Sequence, residues 1–204
     1  MKMGKGFGIF CIILGVCCLM AAVGFVVCNH WEAENAQTAS TDMLREVREG
    51  ILEQPRSESG PAGIPLEIPH EMLTAKVDGY DCIGVLSIPV LELELPVLTD
   101  WSYAKLKVAP CHYFGSCYGP DFVIAAHNYR SHFGRLSALE PGDLVLFTDM
   151  GGTVHYYEVV LLETLPGNAT EEMITSGFDL SLYTCTPGGA SRVTVRCSAV
   201  NNNG

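Results

Sequence analysis

One uncharged run near the start constrains this chain more than any other feature: "GFGIFCIILGVCCLMAAVGFVVC", from Gly6 to Cys28. At about 1.5 Å per residue, a helix over this run is roughly 33 Å long, against a bilayer hydrocarbon core of about 30 Å. A cleaved signal peptide would carry an apolar region of only about 7–15 residues, followed by an A-x-A-like site. No A-x-A follows Cys28, and "FVVC" is a poor lipoprotein-type context. The run therefore reads as an uncleaved, single-pass signal anchor. Lys2 and Lys5 precede it and carboxylates follow it, so the positive-inside rule leaves the N-terminus in the cytoplasm and the bulk of the chain outside.

The chain has 204 residues, which suits one domain plus appendages. Beyond residue 30, ten Lys/Arg stand against 23 Asp/Glu, a formal charge of −13. That surface has no basic stripe for nucleic acid, so no such partner is expected. "STDMLREVREGILEQ" (40–54) predicts an amphipathic helix. Thr41 would cap it, Asp42 would suit its positive end, and Met43, Leu44, Val47, Ile51 and Leu52 would share one face. Four prolines break up "PRSESGPAGIPLEIP" (55–69), a linker or extended segment. The layout expected is a cytoplasmic tail (1–5), a membrane span (6–28), helix plus Pro-rich linker (29–78), a folded domain (79–200) and a disordered tail (201–204).

Within the domain the pattern is all-β. Strand candidates are 83–88, 91–95, 122–126, 143–149, 153–163, 179–184 and 192–200. Turn signals such as "PGD", "PGN" and "PGG" separate them, and short helical pieces fit 101–108 and 169–175. Strands this short and this many suggest a single barrel or sandwich.

Four of the nine cysteines (Cys11, Cys17, Cys18, Cys28) lie in the apolar run and read as small hydrophobes. Five remain outside it, an odd count that implies at least one free thiol. Strand parity separates two of these in "LYTCTPGGASRVTVRC" (182–197). Leu180, Leu182 and Thr184 would face the core and Cys185 would not. On the next strand Val193, Val195 and Cys197 would face the core, while Arg192, Thr194 and Arg196 would face away. Paired through "TPGGAS", Cys185 and Arg192 stand together, where a guanidinium stabilises a thiolate. Cys197 reads as a buried apolar residue. A thiol nucleophile needs a proton-handling partner. Among six histidines, His127 directly follows an apolar strand and ranks first, with His132 second; His155 lies within a strand and reads as structural. The Cys111, Cys117, His112 and His127 set does not match a standard zinc spacing, and a local Cys111–Cys117 disulfide is an open alternative to free thiols.

These residues in this order resemble the sortase family. "LYTC" is similar to its L-x-T-C strand end, "RVTVR" to the strand that opens with its arginine, and "VIAAHN" to its histidine strand end. "IGVLSIPVLELELPVL", "APCHYFGS" and "FGRLSALEPGDLV" resemble the family's first strand pair, the loop before the histidine strand and the turn after it. Together they cover roughly residues 80–200. Ala126 stands where many sortases have glycine. The 58 residues from His127 to Cys185 leave no room for the class B helical insertion, and no class C lid motif is evident, so the class stays open.

The resemblance implies a closed β-barrel of seven to eight strands with short helices behind the membrane helix. It implies a cysteine transpeptidase on a Gram-positive-type surface. Cys185 would be nucleophile, His127 general acid and base, Arg192 the oxyanion or substrate stabiliser, and Thr184 a substrate contact. Partners would be secreted proteins with an LPxTG-like C-terminal motif, and an amine on a cell-wall precursor or pilin. No metal or cofactor is required; the acidic loop at Glu171 and Glu172 reads as solvated rather than calcium-binding. Alternatives are hydrolysis of the same motif, or a tethered β-domain that only binds or scaffolds. A papain-like peptidase would need a histidine after Cys185, and none follows; an L,D-transpeptidase would need an S-x-G-C-x-R-type cluster, which Cys185 lacks.

Overall fold

The computed structural model describes residues 5–53 and 71–200. The linker at 55–69, residues 1–4 of the expected tail, His70 and the tail at 201–204 lie outside the described residues. Helix α1 (Lys5–Glu53) runs unbroken through both the apolar run and the segment expected to be a separate amphipathic helix. The reason is local: residues 29–49 hold no proline or glycine and include three Ala and four Glu, so nothing stops the helix beyond the apolar run. Thr41 is accordingly not a cap, and its hydroxyl donates to the Gln37 carbonyl one turn back, at 2.8 Å.

Among the described residues nine strands follow: β1 (Ala75–Val77), β2 (Tyr80–Ile88), β3 (Leu93–Leu98), β4 (Cys111–Phe114), β5 (Phe122–Ala125), β6 (Leu144–Asp149), β7 (Val154–Pro166), β8 (Leu180–Cys185) and β9 (Ser191–Ala199). Their hydrogen-bonded order is β1-β2-β3-β4-β5-β8-β9-β7-β6, and a further pairing of β2 with β6 closes β2 to β9 into an eight-stranded barrel. Strand β1 is a short extension paired to β2 alone. Gly84 makes the closure possible. It pairs with Val97 on one side and Asp149 on the other, beside a bulge, at a φ of +153°. A Cβ there would lie 2.1 Å from the Thr148 carbonyl oxygen, so only glycine lets the two strands approach. Two short helices, α2 (Tyr103–Leu106) and α3 (Thr170–Ile174), sit in connections. Residues 111–114, read from sequence as loop, pair with β5 as strand β4.

The barrel interior is filled by Ile83, Leu86, Phe122, Ile124, Phe147, Leu182 and Val195, among others. A second apolar cluster lies outside the barrel wall. There Met43 and Val47 of α1 pack on Cys82, Val85, Leu98 and Cys111, with Met43 Sδ 3.8 Å from Cys82 Sγ. Ala36, Ser40, Met43 and Val47 are buried at spacings of three and four, so one stripe of α1 lies against the barrel. Burying Met43 and Val47 contributes about 1.5–3 kcal/mol each. Leu52, assigned from sequence to the same face, is 77 % exposed.

Strand parity holds for β8 and the core residues of β9, but the outward face of β9 is not solvent. Arg196 is 2 % exposed. It pairs with Glu163 at 2.8 Å, donates to Ser181 Oγ at 2.8 Å, and donates to the Glu172 carbonyl of α3 at 2.7 Å. The short α3 therefore covers a face that the alternation alone leaves open. Because one partner's removal strands buried polar groups, Arg196→Ala should cost about 3 kcal/mol or more in urea unfolding. A loss near zero would mean that the network is not holding α3 to the barrel.

Candidate active site

Three adjacent strands, β5, β8 and β9, bring the sequence-nominated groups to one end of the barrel. β5 and β8 run parallel, with Phe122 opposite Leu180 and Ala125 opposite Tyr183. The register continues one residue further, where the Ala126 N–H donates to the Tyr183 carbonyl at 3.2 Å. His127 thus leaves β5 beside the end of β8, which is Cys185. β8 and β9 run antiparallel and set Cys185 opposite Arg192. Between them, Gly188 and Gly189 adopt φ of +86° and +76°, a left-handed pair that side chains with a Cβ resist. The Gly189 N–H donates to the Thr186 carbonyl at 2.8 Å, and the Thr186 N–H to that of Ser191 at 3.0 Å. Arg192 Nη1 donates back to the Gly189 carbonyl at 2.9 Å and that of Ser191 at 3.1 Å, so the turn holds the guanidinium.

Cys185 and Arg192 line one groove of about 230 Å³, with Trp101, Tyr113, Met173 and Tyr183 among its walls. Larger hollows, one beneath α1 and one beside His155, contain none of the three groups. Thr184, expected to touch substrate, precedes Cys185 at the end of β8. It is buried, and its hydroxyl donates to the Ala126 carbonyl at 2.8 Å. Its side chain ties β8 to the strand that delivers His127.

His127 is partly buried, its ring 4.9 Å from that of Tyr129. Burial, then the positive charge of Lys107, holds its pKa below the ordinary histidine value; Glu32 of α1 opposes this. Lys107 Nζ lies 3.1 Å from Glu32 Oε1, and Tyr129 donates its hydroxyl to Glu32 Oε2 at 3.3 Å. This Glu32–Lys107–Tyr129 set around His127 was invisible to pattern reading, because Glu32 lies 75 residues from Lys107 and 97 from Tyr129 along the chain. His132, the second candidate, is fully buried, its ring 5.6 Å from Tyr129 and neither nitrogen bonded. It is a core histidine without access to a substrate.

Cysteine placement settles the remaining sequence alternatives. Cys111 and Cys117 are free thiols in different apolar clusters, not a disulfide. His112 bridges the carbonyls of Thr99 and Gly115 and does not join them. Cys117 instead meets Asp149 and His155, with ligand atoms within 4.8 Å of one another, a metal-compatible spacing. These three sit at the far end of the barrel, beside the β4–β5 loop and the β6–β7 turn. Asp149 already accepts from Thr153 N–H at 2.9 Å, Tyr118 hydroxyl at 2.9 Å and His155 at 3.0 Å. Burial raises the Asp149 pKa, but hydrogen bonds from His155, Thr153 and Tyr118 outweigh it and hold the carboxyl low. The cluster therefore reads as a clasp between two loops. Burial pushes the Cys117 and Cys197 thiols up to about 12.

A closed eight-stranded barrel with histidine, cysteine and arginine at the ends of three neighbouring strands defines a narrow class of proteins. The sortase domain model matches residues 86–200, more than half of the chain, and the chain belongs to the sortase family. Solved structures agree in fold. Sortase A from Corynebacterium diphtheriae is 23 % identical with a TM-score of 0.54, over 61 % of this chain and 64 % of that one. Sortase C1 from Streptococcus agalactiae is 27 % identical at TM-score 0.54, over 62 % and 71 %. Sortase C from Streptococcus pneumoniae is 21 % identical at TM-score 0.59, over 78 % and 96 %. The match thus spans just under two thirds of the length of the Corynebacterium enzyme. Among curated proteins, none matches the chain.

His132 gives the site's scaffold a pH dependence. Burial, and secondarily the charge of His127, drops its pKa to about 4 in the folded state, against 6.5 when free. Between these values the unfolded chain binds a proton that the folded chain refuses, so stability falls as pH drops from 6.5 towards 4. The loss amounts to roughly 3 kcal/mol at most. Chemical unfolding at several pH values should show this slope in the native chain and a flatter one in His132→Leu. Equal slopes would remove His132 as the cause.

Proposed function

We propose that this protein is a membrane-anchored cysteine transpeptidase that cuts a C-terminal LPxTG-like sorting motif and joins the upstream protein to an amine. The supporting observation is the juxtaposition of His127, Cys185 and Arg192 at the ends of β5, β8 and β9. We assign Cys185 as nucleophile, His127 as general acid and base, and Arg192 as oxyanion or substrate stabiliser. The amine is one on a cell-wall precursor or pilin. The layout proposed is residues 1–5 cytoplasmic, 6–28 crossing the membrane and the domain from 79 to 200 outside.

In this reading the lowered pKa keeps His127 neutral at pH 7, able to take the Cys185 proton. The sulfur attacks the scissile carbonyl carbon, forming a C–S bond and an oxyanion that Arg192 faces across the β8–β9 ladder. When the intermediate collapses, the C–N bond breaks and His127 returns its proton to the departing amine. A thioester remains. The incoming amine then attacks it; His127 takes the amine's proton, the C–S bond breaks, and Cys185 recovers its thiol as the new amide forms. The groove between the loop at 99–110 and the connection carrying α3 is where the motif would lie. Its aromatic walls suit an extended peptide.

Mass spectrometry of the protein incubated with sorting-motif peptides should find an acyl adduct on Cys185 alone. Cys185→Ala and His127→Ala should abolish transfer, and Arg192→Ala should lower kcat by about 10²–10³. Full activity in Cys185→Ala would refute the assignment. A second expectation concerns the Thr186–Ser191 turn, whose carbonyls anchor Arg192. One or two residues inserted at Gly188 should sharply reduce transfer while the melting temperature moves little. A parallel loss of both would show that the turn serves folding instead.

A further inference from the structure

α1 is docked lengthwise on the barrel, and its direction orients the active site. At one end, Glu32 bonds Lys107 and Tyr129 beside His127. At the other, Gly50 and Ile51 reach Met150 and Gly152, the end that holds the Asp149 clasp. Eighteen helical residues separate these contacts, about 27 Å along the axis. The helix therefore meets the catalytic end first as it leaves the apolar run.

Glu32 lies only four residues beyond Cys28, about 6 Å along the axis. The polar layer on one side of a bilayer is about 5–7 Å thick. The exposed aromatic residues beside Glu32 and on the groove suit that layer. Trp31 is 64 % exposed, Trp101 42 % and Tyr103 75 %, and Trp and Tyr are the side chains that settle at membrane interfaces. The loop carrying Trp101 and Tyr103 is clamped to the helix, since Lys107, which caps α2, is the residue paired with Glu32.

We infer that the catalytic end of this protein faces the bilayer and docks on the lipid surface through Trp31, Trp101 and Tyr103, so that it works on groups presented at the membrane interface. This rests on the reading that residues 6–28 cross the membrane. A lipid surface is preferred over a protein partner because the unbroken helix fixes the patch at headgroup height.

The two tryptophans of the chain allow a direct test. The full chain is reconstituted in phosphatidylcholine–phosphatidylglycerol vesicles with bromine placed near the headgroup or deep in the acyl chain. In Trp31→Phe, Trp101 emission should fall roughly twofold with shallow bromine and less with deep bromine, as for an interfacial aromatic. In Trp101→Phe, quenching of Trp31 reports insertion of the span. Trp31 quenched with Trp101 untouched would overturn the docking and leave the anchor standing; neither quenched would overturn both. Trp101 unquenched by lipid yet shielded from aqueous iodide would give the patch to a second copy of the chain. A two-turn helical insertion after Asn29 should lift the domain by about 10 Å and abolish Trp101 quenching in the Trp31→Phe background. Quenching that survives it would show that the helix does not set the height.

Discussion

The parallel hydrogen bonds between β5 and β8 are the constraint on which the site depends. Parallel neighbours need a long crossover, and here 54 residues, carrying β6 and β7, separate the two strands. That crossover wraps the barrel and returns through β2–β6 closure, so β5 and β8 cannot slip without reopening the ring. A one-residue slip would also move Leu180, Leu182 and Ile124 out of the interior. The Thr184 hydroxyl, spent on the Ala126 carbonyl, pins the last step of this register just before the two catalytic candidates.

The two ends of the barrel are built differently. At the far end, Asp149 gathers Tyr118, Thr153 and His155, while on the outer face of β9 Arg196 gathers Glu163, Ser181 and the carbonyls of Glu172 and Met173, holding α3 beside the groove. Buried charges there are matched by donors or acceptors, which rigidifies loops. At the end that holds Cys185 and Arg192, His127 has an aromatic neighbour and charged groups acting from a distance, with burial dominating its pKa. A group left with spare hydrogen-bonding capacity is one that can still exchange a proton.

The strand pairing of Cys185 with Arg192 and the placement of His127 were legible because each is local: a hairpin of known turn length, and a histidine at the end of an apolar run. Most strands were legible for the same reason. What was not legible is non-local. Strand β4 has four residues and little alternation, and becomes a strand only because β5 lies beside it. Arg196 carries outward parity yet is covered by five residues of helix. Thr41 has a cap's chemistry, but a cap signal cannot start a helix that is already running.

That running helix joins two surroundings of different character. In its apolar half every side chain from Gly8 to Cys28 is exposed on the protein, as suits lipid. In its second half a stripe from Ala36 to Val47 is buried on the barrel. The segment between, residues 29–35, has little packing of its own, and a helix that short is marginal in water. It is held because both flanks are already helical: the apolar run is long enough to sustain its own helix, and on the barrel Met43 and Val47 fix the rest. Nucleation is supplied twice, and the link has only to propagate. The barrel is thus joined to the apolar run by a stiff rod rather than a tether, and the Glu32 contacts make the His127 end part of that rod.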